Sequence, residues 1–300
     1  MGQQVALALV DGGNPFQQLL KADAEAAARR AGLTLETTFT GDSFTENLAG
    51  LRKLLARPTP PDAIVVMAVR DQGLERVVRE AAAAGKHWLF LNAVEDDLDA
   101  LRREFPAVVI ATVCPDEVET GRVQGRQLRA LVPAGRRVLC VQGSPRSLAS
   151  RQRTAGMQEA MAGSGIDVTL AGGEWSAEHA ARTVREWLRF AVTGRRPFDL
   201  VACQNDQMAA GALEALAAAG AESGRADLSQ IPVIGCDGAP DLGQAMVRAG
   251  RLAATVVLPR VAGPAIEILG RLFARGERPA PVVNLAATSF PPLAELRPVA

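Results

Sequence analysis

Short continuous apolar runs alternate with amphipathic segments along most of this 300-residue chain. That alternation restricts the fold more than any single motif. The runs are VALALV (5–10), AIVVM (63–67), HWLFLN (87–92), AVVIATV (107–113), RVLCVQG (137–143), DLVACQ (199–204), IPVIGC (231–236) and LAATVVLP (252–259). Each is short and bounded by Gly, Pro or polar residues, as expected of strands buried on both faces of a parallel sheet. Helix-like segments cover 16–31, 46–56, 74–84, 118–131, 177–192 and 207–219. Gly32, Gly85, Gly194 and Gly220 stand where helix ends are expected, since glycine adopts the left-handed C-cap conformation most cheaply. The order predicts a doubly wound α/β fold with right-handed crossovers, and the length suits two such sheets.

Charge and cysteine usage narrow the functional classes. Lys plus Arg and Asp plus Glu both number 33, so no net field draws the chain to nucleic acid or to an anionic membrane surface, and the arginines are scattered as on solvated helix faces. No run approaches the ~20 apolar residues of a membrane-spanning helix, and no export segment precedes the first strand-like run. Cys114, Cys140, Cys203 and Cys236 lie in or beside apolar runs and read as small buried hydrophobes; without C-x-x-C spacing, and with only His87 and His179 available, neither a disulfide nor a metal centre is expected.

In open parallel sheets, ligands bind beyond the carboxyl ends of the strands. The residues there are Asp11 to Phe16 with Asn14 among them, Arg70-Asp71, Asn92, Gly143 to Arg146, Gly173 to Trp175, Asn205-Asp206 and Asp237-Gly238. The Asn205-Asp206 pair sits between an apolar run and a helix. We expect Asn205 to face ligand and Asp206 to support the junction as a helix cap. Alternatively, both simply end the strand and cap the helix.

QNDQMAAGALEAL, VIGCDGAPD and GRLAATVVLP, with GNPF (13–16) and SRQRTAGMQEAM (150–161), resemble the ribose-binding family of type I periplasmic sugar-binding proteins. The lac repressor-like regulators share its fold in their effector domains. The resemblance covers nearly the whole chain in order. It implies two doubly wound parallel-sheet lobes joined by a three-crossover hinge: residues 1–112 plus 258–281, and 113–257 plus 282–300, with crossovers near Val113, Leu258 and Val282. It also implies a ligand held between the lobes by hinge closure.

The resemblance nominates contacts residue by residue. Phe16 and Trp175 match aromatic positions that sandwich the sugar, Asn14 and Asn92 are polar contacts of the first lobe, and Arg151, Asn205 and Asp237 those of the second. Arg70 joins them from its strand end. The residue types suit a sugar, whose C–H faces pack on aromatic rings and whose hydroxyls fit planar bidentate groups. Phe16 could instead be a hydrophobic staple, and Trp175 a core or surface aromatic. Arg151 and Arg153, two apart on one helix, point in different directions; the family pattern favours Arg151.

The chain departs from that pattern at Gln17, where relatives carry Phe, at Asn92-Ala93, where they carry Asp-Arg, and at Leu258, where they carry Gln. The losses imply a ligand with fewer hydroxyls than ribose or glucose, or one that is not a sugar. A one-residue strand shift would instead bury Leu258 at the hinge. The expected role is non-catalytic binding of a sugar or polyol, with no cofactor, as the solute-binding component of an ABC transporter engaging its membrane subunits. A ligand sensor signalling to a histidine kinase is the alternative. An enzyme is disfavoured, for the chain lacks phosphate-binding, dinucleotide-binding and nucleophile-elbow motifs. The resemblance places the protein in the periplasm; a cytoplasmic location is the alternative.

Overall fold

The computed structural model describes residues 2–13, 15–70, 72–92, 96–189 and 197–299, with the side chains of residues 15 and 16 left out. The chain divides into two units, residues 1–115 with 260–285 and residues 116–259 with 286–300. In chain order the first unit holds β1 (Gln4–Leu9), α1 (Pro15–Ala31), β2 (Thr34–Phe39), α2 (Phe44–Leu55), β3 (Ala63–Met67), α3 (Glu75–Ala83), β4 (His87–Leu91), α4 (Asp99–Glu104) and β5 (Ile110–Pro115). The second follows with α5 (Glu117–Leu131), β6 (Arg137–Val141), α6 (Leu148–Met161), β7 (Asp167–Ala171), α7 (Ala177–Arg189), β8 (Leu200–Cys203), α8 (Asp206–Ser223), α9 (Ala226–Ser229), β9 (Val233–Asp237), α10 (Gly243–Arg248) and β10 (Ala254–Val257). The chain then returns to the first unit with α11 (Ala262–Arg275) and β11 (Val282–Leu285), and ends in the second with β12 (Thr288–Phe290).

Each unit is built on one six-stranded sheet. The orders are β11-β5-β4-β3-β1-β2 and β12-β10-β9-β8-β6-β7, parallel throughout except for β12, which runs antiparallel to β10. The doubly wound reading is borne out. In β1, Val5, Leu7 and Leu9 pack with α1 and α11, while Ala6 and Ala8 pack on the opposite face with residues of α2 and α3. Both faces of the strand are therefore buried, which is why its sequence runs apolar rather than alternating.

Two sequence expectations differ from the structure. The expected unit boundaries at 112, 257 and 281 fall at 115, 259 and 285, because β5 extends to Pro115 and Val282 pairs with Thr112, placing β11 in the first sheet. Gly220 lies inside α8, which ends instead at Gly224 with φ 67°. Gly194 lies outside the described residues. The four cysteines are buried, and burial pushes the Cys140 thiol up to about 12. Among the described residues, no helix is long and apolar enough to cross a membrane.

Small residues set the helix spacing around the second sheet. A Cβ on Gly156 of α6 would stand 1.9 Å from the Val118 carbonyl oxygen of α5, and one on Gly121 of α5 would stand 2.0 Å from the Arg153 carbonyl oxygen of α6. The two backbones thus meet through paired glycines, which brings the α6 side chains close to the first turn of α5.

Candidate functional site

The strand-to-helix junction at Gln204, Asn205 and Asp206 organises the carboxyl edge of the second sheet. Gln204 is almost completely buried; its Oε1 accepts from the Gly143 amide (2.9 Å) and Ser150 Oγ (2.8 Å), and its Nε2 donates to the Ser150 carbonyl (3.2 Å) and Thr154 Oγ1 (2.9 Å). It thereby ties the end of β8 to the loop after β6 and the first turns of α6. Asn205, in extended backbone at the N-cap of α8, accepts the Met208 amide on Oδ1 at 2.7 Å and donates from Nδ2 to the Trp175 carbonyl at 3.3 Å. The cap expected of Asp206 is therefore supplied by Asn205, since an extended residue one position earlier aims its side chain at the free amides of the first turn.

Asp206 has a different task. Its carboxyl, 1% exposed, accepts from Thr255 Oγ1 of β10 (2.7 Å), from the Gly238 amide after β9 (2.7 Å) and from the Ala239 amide. Burial pushes its pKa up to about 7, against the pull of these donors. The space is kept open by glycines: a Cβ would come within 2.2 Å of the carboxylate at Gly235 and 2.0 Å at Gly243. Asp206 thus fixes the turn that presents Asp237, whose φ of 101° and the following Gly238 φ of 62° are both left-handed.

Arg153 stands at the centre of this edge. Its Nε and Nη2 hold both oxygens of Glu117, at 2.6 and 3.2 Å, its Nη1 donates to the Gln204 carbonyl at 2.6 Å, and the same nitrogen lies 3.5 Å from Asp237 Oδ1. Its guanidinium carbon is 5.5 Å from the centre of the Trp175 ring, a cation–π arrangement. The indole lies where a Cβ on Gly143 would stand only 2.4 Å away, so glycine there is what admits the ring. Burial opposes the arginine's charge, but neighbouring groups, Glu117 and Asp237 among them, outweigh it and raise its pKa. The Asp237 carboxyl is 44% exposed; its desolvating surroundings push it up to about 6, while Arg153 pulls the other way. Trp175, Arg153, Asn205 and Asp237 together form a half-buried ring face flanked by a guanidinium, an amide and a carboxylate.

Arg151 turns to the loop after β6. Its side chain is exposed and its Nη1 donates to the Pro145 and Arg146 carbonyls at 3.2 and 2.9 Å. One helix carries both arginines, and their two-residue separation rotates them roughly 200° apart, so Arg153 is buried against the sheet edge while Arg151 lies exposed. Leu258 is half-buried and packs against Val123, Cys236, Val256 and Ala287. Its amide donates to the Asp237 carbonyl at 3.1 Å.

In the first unit, the corresponding strand ends carry Arg70 and Asn92. Arg70 is exposed, with its guanidinium 4.9 Å from the centre of the Phe44 ring. Asn92 adopts φ 67° and donates its amide to the Val113 carbonyl at 3.0 Å. Gln17 is buried and accepts the Val10 and Asp11 amides on Oε1 at 2.7 and 3.0 Å, so it shapes the loop after β1. Asn14 lies outside the described residues, as does the side chain of Phe16; the Phe16 backbone lies in the first turn of α1.

Residues 5–262 match the family described as the periplasmic binding protein domain. The chain belongs to this family. Among other members, the ribose import binding protein of Salmonella typhimurium is 26% identical over 276 residues, covering 91% of this chain and 86% of the relative. A solved periplasmic ribose ABC transporter structure from Conexibacter woesei superimposes with a TM-score of 0.82 at 19% identity, covering 96% of this chain and 91% of the other. A periplasmic solute-binding protein from Actinobacillus succinogenes with bound D-allose gives 0.78 at 21% identity, covering 96% of each chain. The type I periplasmic binding protein fold expected from the sequence is that of these structures.

Sequence reasoning missed Glu117, Gln204 and the role of Asp206 as the anchor of the Asp237 turn, and its choice of Arg151 passed over the buried Arg153. A signal for Arg153 was present. Ser150, Arg153, Thr154, Met157 and Met161 follow the spacing of one buried helix face, and all five are buried, whereas Arg151 falls off it.

Proposed function

We propose that this periplasmic binding protein is the solute-binding component of an ABC importer and binds a small polyhydroxylated ligand of the sugar or polyol class without transforming it. The observation that carries the reading is the meeting of Trp175, Arg153, Asn205 and Asp237 at the carboxyl edge of one parallel sheet. An aromatic face suits the apolar C–H face of a sugar ring, and the neighbouring carboxylate, amide and guanidinium suit vicinal hydroxyls. Hydrogen bonds to charged groups contribute about 1.5–3 kcal/mol each, so two or three bring a ligand of roughly twelve heavy atoms to micromolar affinity. Relatives named for ribose import and a structural neighbour holding D-allose support the same class.

Arg153 replaces Arg151 in the proposed contact set. Asn14, Phe16, Arg70 and Asn92 of the first unit remain in it, with Leu258 as an apolar boundary. Action in the periplasm and delivery to membrane subunits of the transporter belong to the same proposal; a sensor kinase is not needed to account for the cluster.

The test is a thermal-shift screen with D-ribose, D-allose, D-galactose, D-glucose and myo-inositol, followed by calorimetry on each compound that shifts the melting temperature. A ligand at 100 times its Kd adds about 2.7 kcal/mol to stability, which such a screen resolves. The expected result is at least one compound with saturable heat and 1:1 stoichiometry. Silence from all five in both assays would overturn the reading. For the compound that binds, small-angle scattering at saturation tests the hinge closure implied by the family: the radius of gyration should fall, and an unchanged curve would refute closure.

A further inference from the structure

An arginine at a ligand-facing edge ordinarily invites anions. Arg153 is differently placed. A guanidinium carries five N–H groups, and four are engaged here: Nε and one from Nη2 by Glu117, and two from Nη1 by the Gln204 carbonyl and Asp237. The two carboxylates around it exceed its single positive charge by one, and the Glu117–Arg153 pair is buried, with side-chain exposures of 9% and 7%. Asp237 is the more open of the two acids, so a ligand approaching Trp175 meets a carboxylate rather than an unpaired cation. Asp206, buried behind the same turn, adds no positive charge. Arg146 and Arg151 stand exposed in the loop and first turn after β6, where water and salt screen them.

We infer that this face excludes anionic ligands such as uronic acids and sugar phosphates in favour of uncharged hydroxyl-bearing ones, and that Glu117 sets the discrimination by neutralising Arg153. The inference takes the position of the ligand from the proposed function; the charge balance itself is independent of it. Glu117 touches no ligand in this scheme. It is a positioning and charge-setting residue whose loss would turn a charge-compensated donor into an anion receptor.

The experiment compares matched pairs by calorimetry in wild type, Glu117→Gln and Glu117→Asp: D-galactose with D-galacturonate, D-glucose with D-glucuronate, and D-ribose with D-ribose 5-phosphate. In wild type the neutral member that binds should do so at least 100-fold more tightly than its acid. Glu117→Gln should narrow that ratio at least tenfold, and Glu117→Asp, which keeps the charge, should preserve it. A merely structural role for Glu117 would weaken both members alike and leave the ratio unmoved.

A second readout needs no sugar. In a Trp187→Phe background, Trp175 is the only indole besides the fully buried Trp88, and caesium should quench its fluorescence more efficiently than iodide; Glu117→Gln should erase the difference. An acid bound as tightly as its neutral partner, preferential quenching by iodide, or a ratio and a quenching asymmetry both indifferent to Glu117→Gln would overturn the inference. Quenching that depends on Glu117 while no sugar binds would uphold the charge inference and sink the sugar-binding reading instead.

Discussion

Replacing Asp206 by Asn should change how the stability of the second unit depends on pH, and the direction distinguishes two physical forces. Burial disfavours the carboxylate, while donors from Thr255, Gly238 and Ala239 favour it; on balance its pKa rises from 3.8 to about 7. A carboxyl whose pKa is higher folded than unfolded binds its proton more tightly in the native state. Its contribution to stability is therefore fully present below pH ~4 and is lost as the pH rises to ~7. Each tenfold change in proton affinity is ~1.36 kcal/mol, so the rise corresponds to about 4 kcal/mol across that interval. The Asn variant adds a constant penalty, because its amide N–H faces a cluster of donors, but it does not titrate. The free-energy gap between wild type and Asp206→Asn should consequently shrink by up to about 4 kcal/mol from pH 4 to pH 7. Urea denaturation at pH 4, 5.5 and 7 measures it, with the fluorescence of Trp175 and Trp187 reporting on this unit. Taking the difference removes the titrations common to both proteins. A gap that widens with rising pH would mean that the three donors outweigh burial, and the reasoning would be refuted.

Two further perturbations probe the site and its scaffold. Arg153→Lys should weaken ligand binding by about 2–4 kcal/mol in calorimetry, since lysine cannot hold Glu117 bidentately while reaching Gln204 and Asp237, whereas Arg151→Lys should leave the Kd within twofold; equal effects would discredit the choice between them. Gly156→Ala should lower the melting temperature through a loss of at least ~1–3 kcal/mol, because its methyl would stand 1.9 Å from the Val118 carbonyl oxygen and force α5 and α6 apart.

The parts of the fold that were legible are those where burial is two-sided. β3 matches the apolar run AIVVM residue for residue, because a central parallel strand must be apolar throughout. The strands β2 and β7 lie at sheet edges, β2 with no buried residue and β7 with one, and TLETTF carries none of that continuous apolar signal. β11 and β12 escaped for a related reason: each is three or four residues long and terminates its sheet. Their placement depends on pairing with β5 and β10, segments distant in sequence.

The site was legible in its residue types more than in its division of labour. Asn205 and Asp206 both had to be used at a strand-to-helix junction, but which one caps depends on the backbone angle at Asn205, a tertiary consequence of where β8 ends. Glu117 gave no local signal, since a glutamate in the first turn of a helix is favourable against the helix dipole without any partner. Only the close approach of α5 and α6 through Gly121 and Gly156 brings it to Arg153. The choice between the two arginines turns on helix geometry. Motif matching weighed Arg151 and Arg153 as letters in a string, whereas the helix separates them by more than half a turn. Met157 and Met161 mark the buried face of α6, and counting back four residues from Met157 reaches Arg153. A buried face that also carries an arginine demands a compensating carboxylate. That demand, applied to the sequence, would have directed the search to a buried acid on the neighbouring helix before any coordinates were known.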